Sequence, residues 1–317
     1  MSDTMNRPQL ELVRALLADF RNHPPESLDA LRRSVDERNR QFRLPQEMRF
    51  DHVEVIRADK PALHMIMGTP VNGEEQEIVL YLHGGGFVVG DAEGFRGLAG
   101  TIANDVQARV LIVDYRLAPE NPFPSAVEDA ADAYEWLLSN GTPASAIVMA
   151  GDSAGAGLVL SALAVARNRD LPMPTAAALF SPWTNLSLDG NTIASKQSED
   201  LMLDSDMLRG CVQAYLGNAA ITDPLASPVS TDLHGFPPML IQVGSAEILL
   251  DDSVRLASRA GAHGVNVRLE VWPQMPHVWH SFAPVLDEGR LAIREAAAFL
   301  RRCLVERHGS LATTERY

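Results

Sequence analysis

The chain has 317 residues with 27 Lys and Arg against 41 Asp and Glu, so its formal net charge is −14. A charge of this sign repels phosphate backbones and anionic membranes, which argues against nucleic-acid binding. With 46 % hydrophobic and 21 % charged residues, the composition is ordinary for a soluble globular protein and excludes global disorder.

Targeting and cross-linking signals are missing from the sequence. The only cysteines, Cys211 and Cys303, lie far apart and form neither a disulfide framework nor a zinc-binding pattern. The first ten residues contain no apolar signal core, and no run of about 18 apolar residues predicts a transmembrane helix. These features predict a cytoplasmic protein without a membrane span.

Four short elements are predicted before the main pattern begins. Two segments repeat apolar residues at helical spacing, and two shorter ones alternate in polarity as the strands of a hairpin do. In chain order they are the helices 8–20 and 27–42 and the strands 52–58 and 62–68. The first 50 residues carry 9 Arg against 8 acidic residues, so this segment is expected to behave separately from the acidic remainder.

From residue 77 onward, apolar segments of strand length alternate with helical patterns. The six predicted strands are EIVLYL (77–82), ARVLIVDY (108–115), SAIVMAG (145–151), TAAALFS (175–181), PMLIQVG (238–244) and VNVRLEVW (265–272). The predicted helices span residues 92–104, 124–139, 154–168, 251–263 and 287–307. Continuous apolar strands separated by helices are typical of a parallel sheet that is covered on both faces.

A polar, turn-rich stretch interrupts this alternation at residues 183–230. It contains one strong helical pattern, residues 204–216, and is predicted to be an insertion above the carboxyl edge of the sheet. Residues 308–317 show no pattern, so this tail is predicted to be frayed.

The strongest chemical signal is the motif G-D-S-A-G, which has Ser153 at its centre. A predicted strand precedes the motif and a predicted helix follows it, which is the context of a nucleophile elbow. Such a turn lifts the central hydroxyl clear of the sheet, and the helix N-terminus favours negative charge beside it. Ser153 is therefore the predicted nucleophile, and Asp152 is expected to hydrogen-bond locally.

A second signal is the motif H-G-G-G-F, which starts at His83 directly after a predicted strand. Consecutive glycines free the backbone to direct N–H groups into a pocket, as the oxyanion of acyl transfer requires. The expected donors are the N–H groups of Gly85, Gly86 and Ala154. His83 and Gly84 are interpreted as structural support for this loop.

The same glycines permit another interpretation. Gly84, Gly86 and Gly90 follow a strand and precede a helix, and the next strand ends in Asp114, as in a dinucleotide-binding unit. Their spacing departs from the G-x-G-x-x-G fingerprint, so this interpretation is less favoured.

Three motifs together resemble one enzyme family. H-G-G-G-F, then D-Y-R-L-A-P-E at residues 114–120, then G-D-S-A-G occur in the order and at the intervals of hormone-sensitive-lipase-like α/β-hydrolases. The resemblance implies a carboxylesterase without a cofactor. It also implies the α/β-hydrolase fold, with a mostly parallel eight-stranded sheet, helices on both faces and a helical cap.

The resemblance also implies a division of the chain. The cap would combine the N-terminal segment with an insertion after the sixth strand. The expected parts are an N-terminal part of the cap (1–45), a first part of the core (46–182), a cap insertion (183–225), a second part of the core (226–310) and a frayed tail (311–317).

The general base is expected late in the chain, because α/β-hydrolases present Ser, acid and His in that order. His277 lies in the loop after the last predicted strand and matches the family's position for the base. It would accept the proton of Ser153 and return it to the leaving alkoxide. His280 is the competitor and is interpreted as a half-exposed helix residue.

The triad acid departs from the family's usual pattern. The family has Asp-Pro-Leu-x-Asp after the seventh strand, whereas this chain places Glu247 at the first Asp. A glutamate can orient and charge-stabilise the imidazole equally well. Asp251 and Asp252 stay open as alternatives, although acids at the start of a helix are commonly caps.

The remaining polar residues near these motifs are given structural roles. Tyr115 and Arg116 are expected to hold the loop beneath the oxyanion turn. Asp200, Asp204 and Asp206 lack the glycine and terminal glutamate of a calcium loop and are expected to be caps and solvated positions. No metal site is predicted.

The favoured function is a serine carboxylesterase that hydrolyses short- to medium-chain esters through an acyl-enzyme. Lactone hydrolysis by the same triad is an alternative. A non-catalytic receptor for small ligands on the same fold is a second one, and the presence of His277 weighs against it. The expected partner is a small ester or lactone, and the resemblance suggests a homodimer through the eighth strand.

Overall fold

The computed structural model describes residues 7–23, 25–71 and 76–314, with side chains as far as residue 307. Within this part the strands form one eight-stranded sheet in the order β1-β2-β4-β3-β5-β6-β7-β8. The strands are β1 (Met48–Val55), β2 (Leu63–Pro70), β3 (Ile78–Leu82), β4 (Arg109–Asp114), β5 (Ile147–Asp152), β6 (Ala176–Phe180), β7 (Met239–Gly244) and β8 (Val267–Trp272). Only the pairings of β2 with β1 and β4 are antiparallel, which confirms the mostly parallel sheet.

Nine α-helices accompany this sheet in the described part of the chain. They are α1 (Pro8–Asn22), α2 (Leu28–Arg40), α3 (Arg96–Val106), α4 (Ser125–Ser139), α5 (Ala154–Asn168), α6 (Asn191–Ser195), α7 (Ser205–Leu216), α8 (Leu250–Ala262) and α9 (Asp287–Thr314). Helices α4, α5 and α8 pack on one face of the sheet, and α3 and α9 pack on the other. The predicted covering of both faces is therefore confirmed.

Strand β3 shows why the central strands read as continuous apolar runs. Ile78, Leu80 and Leu82 enter the core beneath α4 and α5, whereas Val79 and Tyr81 enter the core beneath α3 and α9. Successive side chains of a strand point to opposite faces, and here both faces are buried. No polar face remains, so the alternation of a half-exposed strand is absent.

Two N-terminal helices pack near the carboxyl edge of the sheet. The apolar face of α1 (Leu10, Val13 and Leu17) packs in one cluster with Met275 and Trp279, on either side of the residue 277 loop. This face matches the predicted helical periodicity.

Helix α2 is tied to the glycine-rich loop by Arg32. Its guanidinium donates to the carbonyls of Val88 and Ala118 at 2.9 and 3.0 Å and pairs with Glu120 at 2.7 Å. Through Arg32, the N-terminal segment thus contacts the loop that follows β3 and the loop that follows β4.

Several elements differ from the sequence-based prediction. The strand predicted at residues 52–58 spans Met48–Val55, and the helix predicted at residues 92–104 spans Arg96–Val106. The insertion contains a second, short helix, α6, besides the predicted one. Helix α9 continues to Thr314, so the prediction of a patternless tail from residue 308 was wrong for residues 308–314. Elongating an established helix is easy because each further residue adds one hydrogen bond. Residues 1–6 of the predicted cap and 315–317 of the predicted tail lie outside the described residues.

Strand β8 lies at an edge of the sheet, so its outer backbone groups have no neighbouring strand in the described chain. The homodimer through this strand stays a prediction. Among the described helices, none is long and apolar enough to cross a membrane.

Candidate active site

Ser153 lies in the tight turn between β5 and α5. Its φ of +53° and ψ of −122° place it in a region that non-glycine residues rarely adopt. A Cβ on Gly155 would clash with the carbonyl oxygens of Leu82 and His83, and a Cβ on Gly151 would lie 2.7 Å from the Gly155 oxygen. Only glycines therefore allow the strand and the helix to approach so closely, as a nucleophile elbow requires.

The structure brings Ser153, His277 and Glu247 into one hydrogen-bonded row. His277 Nε2 lies 2.9 Å from Ser153 Oγ, and His277 Nδ1 lies 2.6 Å from Glu247 Oε2. Glu247 is fully buried, and His277 is 3 % exposed. Burial by itself would lower the pKa of His277, but the adjacent Glu247 carboxylate, together with the charges of Asp200 and Asp152, outweighs burial and holds that pKa above its ordinary value.

Glu247 is oriented by two further donors. Ser181 Oγ–H donates to Glu247 Oε1 at 2.8 Å, and the Gly244 N–H donates to the same oxygen at 2.6 Å. The Ser181 hydroxyl also accepts the N–H of Val278 at 3.0 Å, so one side chain links the acid to the loop that carries His277. Sequence reasoning missed Ser181. Its position directly after a buried parallel strand was the available signal.

The glycine-rich loop lies beside Ser153 because β3 and β5 are parallel neighbours and Leu82 pairs with Gly151. Gly85 and Gly86 adopt φ values of +120° and +61°, which side chains rarely tolerate. Within the described residues, the N–H groups of Gly85, Gly86 and Ala154 donate to no protein acceptor. Three free donors thus lie in the glycine-rich loop and at the start of α5, beside Ser153.

Hydrogen bonds and ring stacking connect the residues behind this loop. Asp152 accepts from Tyr81 Oη at 2.8 Å and from the Gly84 N–H at 2.9 Å, and burial raises its pKa to about 6. His83 stacks on Tyr115 with ring centroids 4.2 Å apart, and burial lowers its pKa. The Tyr115 hydroxyl donates to the His83 carbonyl at 2.7 Å, which confirms its predicted contact with the loop.

The chain matches known proteins over most of its length. A family model described as the alpha/beta hydrolase fold matches residues 79–281. An acetyl-hydrolase of Streptomyces hygroscopicus is 45 % identical over 228 residues, which cover 72 % of this chain and 76 % of that protein. The crystal structure of an esterase from the bacterial hormone-sensitive lipase family superimposes with a TM-score of 0.89 at 37 % identity, covering 96 % of this chain and 100 % of the other.

The chain belongs to the hormone-sensitive-lipase family of α/β-hydrolases. An esterase of Acinetobacter venetianus is a further relative, 34 % identical over 72 % of this chain and 78 % of that protein. The protein is therefore a carboxylic ester hydrolase. The interpretation as a dinucleotide-binding unit and the interpretation as a non-catalytic receptor are therefore not supported.

The competing histidine of this esterase is not half-exposed, as the sequence had suggested. His280 is fully buried, and its Nε2 lies 2.9 Å from Gln242 Oε1. Burial lowers its pKa to about 3, so the ring stays neutral at physiological pH. The prediction failed because the residues that His280 contacts, such as Gln242 of β7, are distant from it in sequence.

The two competing acids bind the insertion instead of His277. Asp252 is buried and accepts from the N–H groups of Thr184 and Asn185 at 2.8 and 2.9 Å. Asp251 accepts from the Asn191 N–H at 3.0 Å. The interpretation as caps of their own helix was wrong, because the N–H groups that they satisfy belong to residues 184–191.

Two further interpretations need correction. Arg116 was expected to hold the oxyanion loop, but its guanidinium pairs with Asp129 of α4 at 2.9 Å. Asp200 was expected to be a cap or solvated, but it is fully buried, and its Oδ2 accepts the Ile248 N–H at 2.9 Å. Asp200 thus ties the insertion to the residue after Glu247.

Asp204 does cap α7, as predicted, and accepts from the N–H groups of Asp206 and Met207 at 2.9 and 2.8 Å. Asp206 itself is exposed and pairs with Arg209 at 2.7 Å.

One group of potential metal ligands occurs in the described part of the chain, formed by Asp232, His234 and His263. It lies at the amino ends of β7 and β8, at the opposite edge of the sheet from Ser153. The Leu233 N–H donates to His263 Nδ1 at 2.9 Å, and Arg167 donates to the neighbouring carbonyls. This group does not contact Ser153, His277 or Glu247.

A cavity of about 140 Å³ adjoins Ser153. Its lining outside the two motifs is mostly apolar and comes from both segments that the resemblance assigned to a cap. From these two segments the lining residues are Phe20, Leu31, Val35, Arg38, Asn39, Trp183, Met202, Leu203, Met207, Leu208 and Cys211. A cavity of roughly 150 Å³ accommodates a molecule of the size of benzene, so a space of this volume suits a small group.

Proposed function

We propose that this carboxylic ester hydrolase is a serine carboxylesterase that acts through an acyl-enzyme on short- to medium-chain esters. Ser153 is the nucleophile, His277 the general base and Glu247 the acid that orients and charge-stabilises the imidazole. The observation that carries the proposal is the row of contacts of 2.9 and 2.6 Å that joins the three side chains.

In this proposal, His277 Nε2 takes the proton of Ser153 as the hydroxyl oxygen attacks the ester carbonyl carbon. The negative charge that develops on the carbonyl oxygen is stabilised by the free N–H groups of Gly85, Gly86 and Ala154. The tetrahedral adduct collapses when the imidazolium gives its proton to the departing alcohol. Water then attacks the carbonyl carbon of the acyl-enzyme in the same way, with His277 as the base, and the carboxylic acid is released from Ser153.

We also propose that residues 1–45 and 183–225 act together as a cap that limits the acyl group. Side chains from both segments line the cavity of about 140 Å³, which supports the shorter end of the chain-length range. Activity on 4-nitrophenyl esters should therefore fall beyond medium-length acyl chains.

The test is hydrolysis of 4-nitrophenyl acetate and 4-nitrophenyl butyrate by the wild type and by Ser153→Ala. We expect turnover to fall by about 10⁶-fold, because a triad serine contributes on this order. Ser161→Ala is the matched control, since this serine lies in α5 and its hydroxyl donates to the carbonyl of Leu225. A Ser153→Ala enzyme with substantial activity would refute the assignment of the nucleophile.

A further inference from the structure

Two cavities meet beside Ser153. The inner cavity of about 140 Å³ contains the nucleophile, and an outer cavity of about 620 Å³ lies between the N-terminal helices and residues 281–285. The residues that line both are Phe20, Arg38, Asn39, Phe95 and Ser281. A substrate that extends from Ser153 into the outer cavity must pass this shared wall.

The shared wall and the inner cavity present donors without acceptors. Asn39 Nδ2 and Trp183 Nε1 are buried and have no hydrogen-bond partner within residues 7–23, 25–71 and 76–307. In the same part of the chain, the exposed side chain of Arg38 has no hydrogen bond or ion pair, and it packs on the Phe20 ring, 5.8 Å from guanidinium carbon to centroid. Unpaired buried donors are costly, so the site is expected to receive a ligand with acceptor oxygens.

The charge at the wall points to an anion. Arg38 is exposed at this wall, although the neighbouring protein lowers the pKa of its guanidinium by desolvation, and arginine stays protonated at neutral pH. Two carboxylates also line the outer cavity, but Asp19 lies 3.2 Å from His23, and the exposed Glu37 is not within ion-pair distance of Arg38. The positive charge of Arg38 is thus left uncompensated by the described side chains.

The order of release decides which part of an ester reaches this wall. The alcohol must depart before water enters, whereas the acyl group stays bound to Ser153. The alcohol part therefore suits the larger outer cavity, where a charged group also keeps contact with water. The acyl group is then the part that remains in the smaller inner cavity beside Ser153.

We propose that the preferred substrates are esters of small acyl groups whose alcohol part carries a carboxylate, and that Arg38 and Asn39 bind this carboxylate. A planar guanidinium can donate two parallel hydrogen bonds to a carboxylate, and the Asn39 amide can add a third. This substrate class rests on the serine-esterase function proposed above.

The test compares kcat/KM for 4-acetoxybenzoate with kcat/KM for its neutral isostere, 4-acetoxybenzamide, by following the released phenols. In Arg38→Gln the ratio of the two values should fall at least about tenfold, mainly through KM, because a charge-assisted contact is lost. Arg38→Lys should keep part of the preference, because it retains the charge without the planar fork. Arg33→Gln is the matched control, since Arg33 is exposed on the same helix, lines neither cavity and should leave the ratio unchanged.

A binding measurement accompanies the rates. Benzoate and benzamide are used as inhibitors of 4-nitrophenyl acetate hydrolysis, and the inhibition constant of benzoate alone should rise about tenfold in Arg38→Gln. An equal loss on both esters, or a ratio that Arg38→Gln and Arg33→Gln change equally, would overturn the inference. A wild type that hydrolyses 4-nitrophenyl acetate without favouring the anionic ester would overturn it as well while leaving the esterase proposal intact. If the wild type hydrolyses no ester, the esterase proposal itself fails.

Discussion

Replacing Glu247 by glutamine would remove the charge beside His277 while keeping the shape of the side chain. The carboxylate lies 2.6 Å from Nδ1 in a site where Glu247 is fully buried and His277 nearly so, so little water is available to replace the lost charge. In a serine protease the corresponding exchange of acid for amide lowers turnover by about 10⁴. We therefore expect kcat of Glu247→Gln to fall by about 10³–10⁴ on 4-nitrophenyl butyrate.

The same variant has a predicted pH signature. Activity requires neutral His277, so kcat/KM rises as pH increases through the pKa of this residue. Glu247 holds that pKa above its ordinary value, whereas burial acts to lower it. Without the carboxylate the pKa of His277 loses its largest raising contribution, and the acid limb of the kcat/KM profile should move to lower pH.

The assay is a pH series of initial rates for the wild type, Glu247→Gln and Asp251→Asn. Asp251→Asn makes the same chemical change four residues away, at a carboxylate that binds the Asn191 N–H, and should stay within about threefold of the wild type. An acid limb that stays in place or moves to higher pH would refute the reasoning. Equal losses in the two variants would show that Glu247 has no special role.

Two further predictions concern the residues that position the site. Ser181→Ala removes a donor from the buried Glu247 carboxylate, so kcat should fall about tenfold to a hundredfold with KM nearly unchanged; a change confined to KM or to thermal stability would contradict this positioning role. Gly155→Ala should destabilise the protein by about 3 kcal/mol or more in a thermal unfolding experiment, because the added Cβ would clash with the Leu82 carbonyl. Gly210→Ala, in a helix where an added Cβ meets nothing within 4 Å, is the control and should be neutral or stabilising.

The backbone geometry that the sequence predicts around Ser153 and the glycine-rich loop is local. The turn at Ser153 is predicted because a strand ends and a helix begins within a few residues of it. The glycines on each side let the strand and the helix approach closely. Gly85 and Gly86 likewise adopt positive φ values that the H-G-G-G-F motif anticipates. Short-range sterics determine these features, so one sequence is enough to read them.

The residues that were misread or missed depend on contacts between distant segments. His280 is buried because it meets Gln242 of β7, Asp200 because it meets the N–H of Ile248, and Ser181 acts through Glu247, which is 66 residues away. No local pattern reports such partners.

The amino-acid sequence was sufficient for the fold class, the nucleophile elbow and the glycine-rich turn, because periodicity and backbone sterics act over a few residues. The tertiary structure was needed to bring Glu247, rather than Asp251 or Asp252, to His277 and to leave Arg38 without a carboxylate partner within the described residues. These outcomes depend on how the carboxyl ends of parallel strands and the helices above them meet in space, and that arrangement is settled by packing of the whole domain.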